Sequence, residues 1–349
     1  MLFPIRHFQS SLLRAALIAA LLVGGVHLSP AQSRGGGAGY PELRLFGNRY
    51  VDARVFAARH GLAVEWADPG RELRLRSRWT TIEFAANGIE LWLNGLRLFL
   101  SLPVVARDGR LYLGVTDVEK TLNPILSPKF PGAVPRLKVI AVDAGHGGSD
   151  PGNQNPRLKL AEKIFTLDVA KRLERLLKIQ GFRVVMTRTR DRAVALEQRT
   201  EIARRAAADL FVSIHFNSFS NASVVGAETY VMSPLGQRSS PQAEGDRSMM
   251  ATAYPSNRHD LASILLGYNV HRRTVGVLNA FDRGLKHFRY SVLRTAECPA
   301  VLVEAAFLSN TAEGRKVATP AYRQKIAEGI ASGIAGYAAT LERLRAGKG

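Results

Sequence analysis

Three apolar runs rich in branched residues each stop at a side chain able to do chemistry, and this pattern constrains the chain more than any other. Val139-Ile140-Ala141-Val142 leads through Asp143-Ala144-Gly145 to His146, Leu210-Phe211-Val212-Ser213-Ile214 stops at His215, and Ala300-Val301-Leu302-Val303 stops at Glu304. Short apolar runs without polar alternation suit strands covered on both faces, as in a parallel sheet flanked by helices. In such sheets sites assemble at the carboxyl ends of neighbouring strands, so the three endings predict one constellation. After His146 come Gly147, Gly148 and Gly152, which allow the loop to turn back on itself.

The rest of the second half keeps the same grammar of strand and helix. Glu162 to Gln180 reads as a helix with one apolar stripe, Phe165, Val169, Leu173, Leu176 and Leu177, and Gly181 as its stop. Strands are expected at Phe182 to Thr187, Ala227 to Met232 and, briefly, Ser291 to Arg294. Helices are expected at Leu196 to Ala207, His259 to Asn279 and Pro320 to Leu344. Before this region, residues 40–122 form short alternating runs separated by Asn87-Gly88, Asn94-Gly95 and Asp108-Gly109, the dipeptides that supply positive φ in tight hairpins. A short helix from Asp52 to His60 would place Val55 and Phe56 inward. The stretch 123–136 carries Pro124, Pro128, Pro131 and Pro135 and has no period, which marks it as a linker. The expected fold class is therefore α/β: a twisted, mostly parallel sheet flanked by helices over residues 137–346, preceded by a small, mostly β domain.

Residues 1–31 have the layout of a secretory leader. Arg6 and Arg14 precede a short apolar core from Ala15 to Val26, and Ser29-Pro30-Ala31 offers small residues for cleavage. The core is short for a membrane span, which needs about 20 apolar residues. The reading is an exported protein of the periplasm or cell envelope, or beyond it, without stable membrane insertion once the leader is removed. Cys298 is the sole cysteine, so no internal disulfide is available and a buried structural thiol is expected. The net charge of +19, or +17 without the two leader arginines, favours a polyanionic neighbour.

A catalytic zinc takes three protein ligands from His and carboxylate and keeps one position open. His146 and His215 are candidates for two of these, and Glu162, opening the helix after the glycine loop, for the third. A carboxylate in a first helical turn is also favoured by the helix dipole without any metal, so the residues alone leave both readings of Glu162 open. Glu304 lies in an apolar run, where desolvation raises proton affinity toward the range useful to a base. The other reading is a structural acid paired with Arg294. Asn217, two residues after His215, is a candidate for substrate contact or for capping a loop, and Asp143 for orienting a ligand histidine or for a buried, hydrogen-bonded acid near a strand end. His259, His271 and His287 are expected to be surface or packing residues.

Taken in order, Gly145-His146-Gly147-Gly148 with Asp150-Pro151-Gly152, Glu162-Lys163, Arg188-Thr189-Arg190-Asp191, Ser213-Ile214-His215-Phe216-Asn217-Ser218, Gly226-Ala227-Glu228-Thr229-Tyr230, Arg283-Gly284-Leu285-Lys286, Val292-Leu293-Arg294 and Val303-Glu304 through Asn310 resemble the zinc-dependent N-acetylmuramoyl-L-alanine amidases, from about Val139 to Leu344. The resemblance implies one zinc ion held by His146, Glu162 and His215, with Glu304 as the catalytic glutamate. It further implies cleavage of the amide bond between N-acetylmuramic acid and the L-alanine of the stem peptide. Peptidoglycan is then the partner, an activator protein is left open, and no nucleic acid is expected. Arg294 becomes a candidate to meet a stem-peptide carboxylate. Two alternatives stand beside this: a zinc peptidase cutting within the stem peptide, and a non-catalytic wall-binding protein. Some amidases of cell division carry an inhibitory helix in the region of Ser233 to Asp260; the Pro, Gly and Ser content here predicts a flap instead. The strands at 40–122 are weakly similar to the small domain that begins copper amine oxidases, without any copper-binding pattern.

Overall fold

The computed structural model describes residues 39–130, 132–240 and 249–347. The expected leader lies outside the described residues, as does the middle of the expected flap. Among the described residues no helix is long and apolar enough to cross a membrane.

The first strands are β1 (Glu42–Leu45), β2 (Asn48–Asp52), β3 (Ala63–Asp68), β4 (Glu72–Arg76), β5 (Thr81–Ala85), β6 (Glu90–Leu93), β7 (Leu96–Phe99), β8 (Val105–Arg107) and β9 (Arg110–Gly114). Helix α1 (Ala53–Arg59) follows β2, capped by the Asp52 side chain, with Phe56 buried and Val55 half-buried. The β6–β7 and β8–β9 turns use Asn94-Gly95 and Asp108-Gly109 with all four φ angles positive, as two-residue hairpins require.

The second half contains β10 (Val139–Ala144), a two-strand ribbon of β11 (Gln154–Asn155) and β12 (Leu160–Ala161), α2 (Glu162–Ile179), β13 (Arg183–Met186), α3 (Leu196–Arg205) and β14 (Leu210–Asn217). It continues through β15 (Ala227–Val231), α4 (Asp260–Leu278), β16 (Asp282–His287), α5 (Ser291–Arg294), β17 (Ala300–Phe307), α6 (Thr311–Ala318) and α7 (Pro320–Arg345). Strands β13, β10, β14 and β17 pair in parallel in that order; β15 runs antiparallel to β17 and parallel to β16. The large mixed sheet is covered on both sides. Ile140, Val142, Val212, Ile214, Val301 and Val303 meet α2, α4 and α7, while Ala141, Phe211, Ala300 and Leu302 face Ala203 of α3 and Val292 and Leu293 of α5. Every residue of β10 and of β17 is buried, which is why these strands read as unbroken apolar runs.

Several expectations change. Ser291–Arg294 is a helical turn, since Leu293 and Arg294 N–H both return to Tyr290 O and bury Val292 and Leu293 side by side. Strand β16 and helix α6 were not expected; Gly284 and Gly314 obscure their patterns. The prolines at 123–136 do not break the fold: Asn123–Leu126 is helical, and Asn123 Oδ1 accepts from Tyr40 at 2.9 Å. Nor does the sheet stop at this stretch. β7 pairs with β16 at Leu98 and Leu285, so one sheet of eleven strands runs from β13 to β3, and from Tyr40 onward the chain is one compact unit. Finally, β14 and β17 continue past His215 and Glu304, so both residues sit within strands.

Candidate active site

β10 ends at Ala144, and His146 follows in a left-handed backbone with φ of 60°. Its Nδ1 is 2.7 Å from Asp150 Oδ2, which leaves Nε2 directed at Glu162 Oε2, 3.1 Å away. The return path from the glycine loop is the β11–β12 ribbon, tied down by Asn155 Nδ2 donating to Leu308 O at 2.7 Å. Glu162 N–H donates to Asn153 O at 2.9 Å, so the first residue of α2 arrives beside the loop it left. From β14, His215 Nδ1 lies 3.0 Å from Glu162 Oε1. The three side chains each offer one ligand atom, all within 4.8 Å of one another.

Glu162 is completely buried. Asn153 N–H and Phe216 N–H donate to its two oxygens at 2.8 and 2.9 Å. Burial would raise its carboxyl, but the His146 and His215 rings outweigh that and hold it down at about 2. Burial likewise opposes a charged His146 ring, while Glu162 and Asp150 beside it raise its proton affinity overall. Glycines wall this cluster. A Cβ on Gly145 would stand 2.3 Å from His215 Cε1, and one on Gly152 would stand 2.6 Å from both Glu162 Oε2 and His146 Cδ2.

Glu304 pairs in register with His215 on one side and Glu228 on the other, so three polar side chains form a lateral row across β14, β17 and β15. Glu304 is 8% exposed, and its Oε2 has no hydrogen-bond partner among the described residues. Burial, with the charges of Glu162 and Glu228 adding to it, pushes its carboxyl well above the usual carboxylate range; Lys286 pulls the other way. Glu228 is the better satisfied acid. It takes Arg283 Nε at 2.7 Å, Lys286 Nζ at 2.8 Å, Asn217 Nδ2 at 3.2 Å and the Tyr230 hydroxyl. Burial works against its ionised form, yet Lys286 and these hydrogen bonds keep its carboxyl below the ordinary value.

Sequence reasoning named His146, Glu162, His215 and Glu304, and the fold brings the first three together with Glu304 on the strand beside His215. Asn217 reaches Glu228 through its amide. Arg294 lies against the Tyr254 ring and Met249 and makes no ion pair with Glu304 among the described residues. Of the two readings of Asp143 the buried, hydrogen-bonded acid is the one seen: it accepts from Thr187, Ser213 and Arg199, and Asp150 takes the position beside His146. Asp150, Glu228 and Lys286 stood in the motifs of the resemblance but were given no role. Glu228 was open to the same reasoning as Glu304, an acid inside a strand whose every residue is buried.

The family model for N-acetylmuramoyl-L-alanine amidase matches residues 140–336. The chain belongs to this family. It is similar to the N-acetylmuramoyl-L-alanine amidase AmiC of Escherichia coli, 32% identical over 252 residues that cover 65% of this chain and 60% of that protein. It is similar also to AmiA of Escherichia coli, 31% identical over 241 residues, 63% of this chain and 83% of that one. Among solved structures, the catalytic domain of the amidase CwlV from Bacillus (Paenibacillus) polymyxa aligns at 32% identity and a TM-score of 0.48, covering 58% of this chain and 98% of that one. This chain spans 53–60% of the AmiC proteins of Neisseria meningitidis and Escherichia coli, and the amidase match begins at β10.

Proposed function

We propose that this amidase-family chain is an exported peptidoglycan hydrolase that cuts the amide bond between N-acetylmuramic acid and the L-alanine of the stem peptide. His146, Glu162 and His215 are the residues that would hold zinc, and their donor set, two imidazoles and a carboxylate within 4.8 Å, fits a catalytic zinc site. Zinc bound there would supply Lewis acidity toward the scissile carbonyl and toward water. Asp150, accepting from His146 Nδ1, fixes the ring with Nε2 facing the site. Glu304 is the base. Its buried carboxylate accepts a proton from the attacking water, and its raised proton affinity suits it to return that proton to the departing amine of L-alanine. Glu228, neutralised by Arg283 and Lys286, keeps a second acid beside Glu304 without competing for that proton. Asn217 stands on the same strand as His215, where it can meet substrate.

The observation that carries this reading is Glu304 Oε2, buried and without a hydrogen-bond partner among the described residues, in the row beside His215. The net charge of +19 suits work on an anionic wall, and the leader-like amino terminus suits export to the cell envelope. The test is digestion of purified peptidoglycan followed by identification of the new ends. New L-alanine amino termini on intact stem peptides support the reading. Ends inside the stem would make the protein a peptidase, and no new ends a wall-binding protein.

A further inference from the structure

Two buried arginines lie behind the metal-ligand cluster, on neither of the segments that carry His146 or Glu162. Arg188, just after β13, is among the largest fully buried side chains. Its Nε donates to Ala144 O at 2.9 Å, and its Nη2 lies 2.9 Å from Gly145 O, 2.8 Å from Lys163 O and 3.0 Å from Thr166 Oγ1. Its Nη1 reaches Arg190 O at 3.4 Å. Arg199 of α3 approaches from the other flank, with Nη1 2.8 Å from both Asp143 Oδ1 and Ala144 O, and Nη2 3.0 Å from His146 O.

The carbonyls of Ala144, Gly145 and His146 belong to the turn where the chain leaves the sheet, and two guanidinium groups satisfy them in place of a strand partner. Arg188 does more, because its acceptors fall on two segments. Ala144 and Gly145 lead into His146, whereas Lys163 directly follows Glu162 at the start of α2 and Thr166 lies one turn further on. Thr166 Oγ1 spans the same gap, donating to Gly145 O at 2.7 Å and lying 3.2 Å from Lys163 O. A buried cation held by carbonyls and one hydroxyl is a costly way to fill volume. A planar fork with donors in fixed directions, however, suits joining two backbones at a set separation, which a lysine ammonium cannot do.

We infer that Arg188 is a positioning residue for the metal site: by joining the His146 turn to the first turn of α2 it presets the separation of His146 and Glu162, while Arg199 braces the His146 side alone. This rests on the zinc reading above.

The test uses the full chain with Arg188→Lys, Arg199→Lys and Thr166→Val, measuring zinc affinity by competition with a chelator and the visible bands of the cobalt-loaded protein. Arg188→Lys should bind zinc about 10- to 100-fold more weakly, the range seen when groups behind metal ligands are removed, with altered cobalt bands. Arg199→Lys should lose less, because it touches one ligand segment, and Thr166→Val several-fold. A purely structural role would lower the melting temperature and leave zinc affinity and the cobalt spectrum of the folded protein unmoved. A folded Arg188→Lys protein that binds zinc within twofold of wild type, with unchanged cobalt bands, overturns the inference. Should that variant fail to fold, a folded Thr166→Val protein with wild-type zinc affinity overturns it equally. Wild-type protein that takes up no zinc would sink the metal reading itself; wild-type and variant proteins binding zinc equally would sink this inference alone.

Discussion

Gly145→Ala should disable the site through one methyl group, because what must give way to it is the His215 ring. The added Cβ would lie 2.3, 2.6 and 2.8 Å from His215 Cε1, Nε2 and Nδ1. Ordinary carbon contacts fall at about 3.5–4.0 Å, so ring or backbone must move by roughly 1 Å. The backbone is pinned on both sides. Gly145 N–H donates to Ile214 O at 3.2 Å, and Gly145 O accepts from Arg188 at 2.9 Å and Thr166 at 2.7 Å. The His215 ring therefore moves, out of line with Glu162. A displacement of about 1 Å in a catalytic constellation costs on the order of 100-fold in rate, and loss of one well-placed ligand should weaken zinc by a similar factor. Zinc competition and peptidoglycan digestion on the purified variant measure both. Gly181→Ala is the control: φ is 88° and the space around it is open, so it should cost about 1–2 kcal/mol of stability and a few degrees of melting temperature. Its zinc affinity should stay at the wild-type value. Gly145→Ala protein that binds zinc within twofold of wild type and digests wall at the normal rate would refute the steric reasoning.

Glu304→Gln should lower wall digestion by about 100- to 10,000-fold, the usual span for a general base, while zinc content stays unchanged; normal digestion would remove Glu304 from the mechanism. His146→Ala should lose zinc on metal analysis, and a chelator should silence the wild-type protein until zinc is restored. Stability should fall in acid through His287, which is fully buried between Thr121 Oγ1 and Met232 O and is lowered by that burial to about 4. Because the folded value lies below the ordinary 6.5, its contribution is intact above 6.5 and is lost as pH falls through 4, up to about 3 kcal/mol. Denaturant midpoints across this window should slope less steeply in His287→Gln, and an unchanged slope would refute the assignment. Asp117 runs the opposite way: burial raises it to about 6, so its contribution is present below 3.8 and is lost as pH rises through 6. Asp117→Asn should remove that second slope.

Much of the fold was legible because strands buried on both faces must be written as apolar runs, and β10, β14 and β17 are of that kind. Helices α2 and α7 announced themselves through an apolar stripe or a proline start, and two hairpins through Asn94-Gly95 and Asp108-Gly109, whereas at Asn87-Gly88 only Asn87 is left-handed. Short elements were not legible. Ser291–Arg294 is too brief for any period to separate helix from strand, and β16 reads Asp282-Arg283-Gly284-Leu285-Lys286-His287, with more charge than a core strand shows because Arg283 and Lys286 neutralise Glu228.

His146, His215 and Glu304 were singled out by the chain itself, because each ends an apolar run, while Glu162 was left open by its position at a helix start and was named through the resemblance. Their partners were decided only by tertiary structure. Asp150 displaced Asp143 as the support of His146 because the turn after β10 carries Asp150 back to the ring, while Asp143 points among Thr187, Ser213 and Arg199. Arg188 sits 42 positions after His146 in the chain and 26 after Glu162, and no local pattern could say that its fork joins the two. The same holds for the sheet that continues across 123–136: the pairing of β7 with β16 is made across 187 positions of sequence, from Leu98 to Leu285. Local sequence writes periods and turns; hydrogen bonds between distant segments depend on where the packed layers bring the chain.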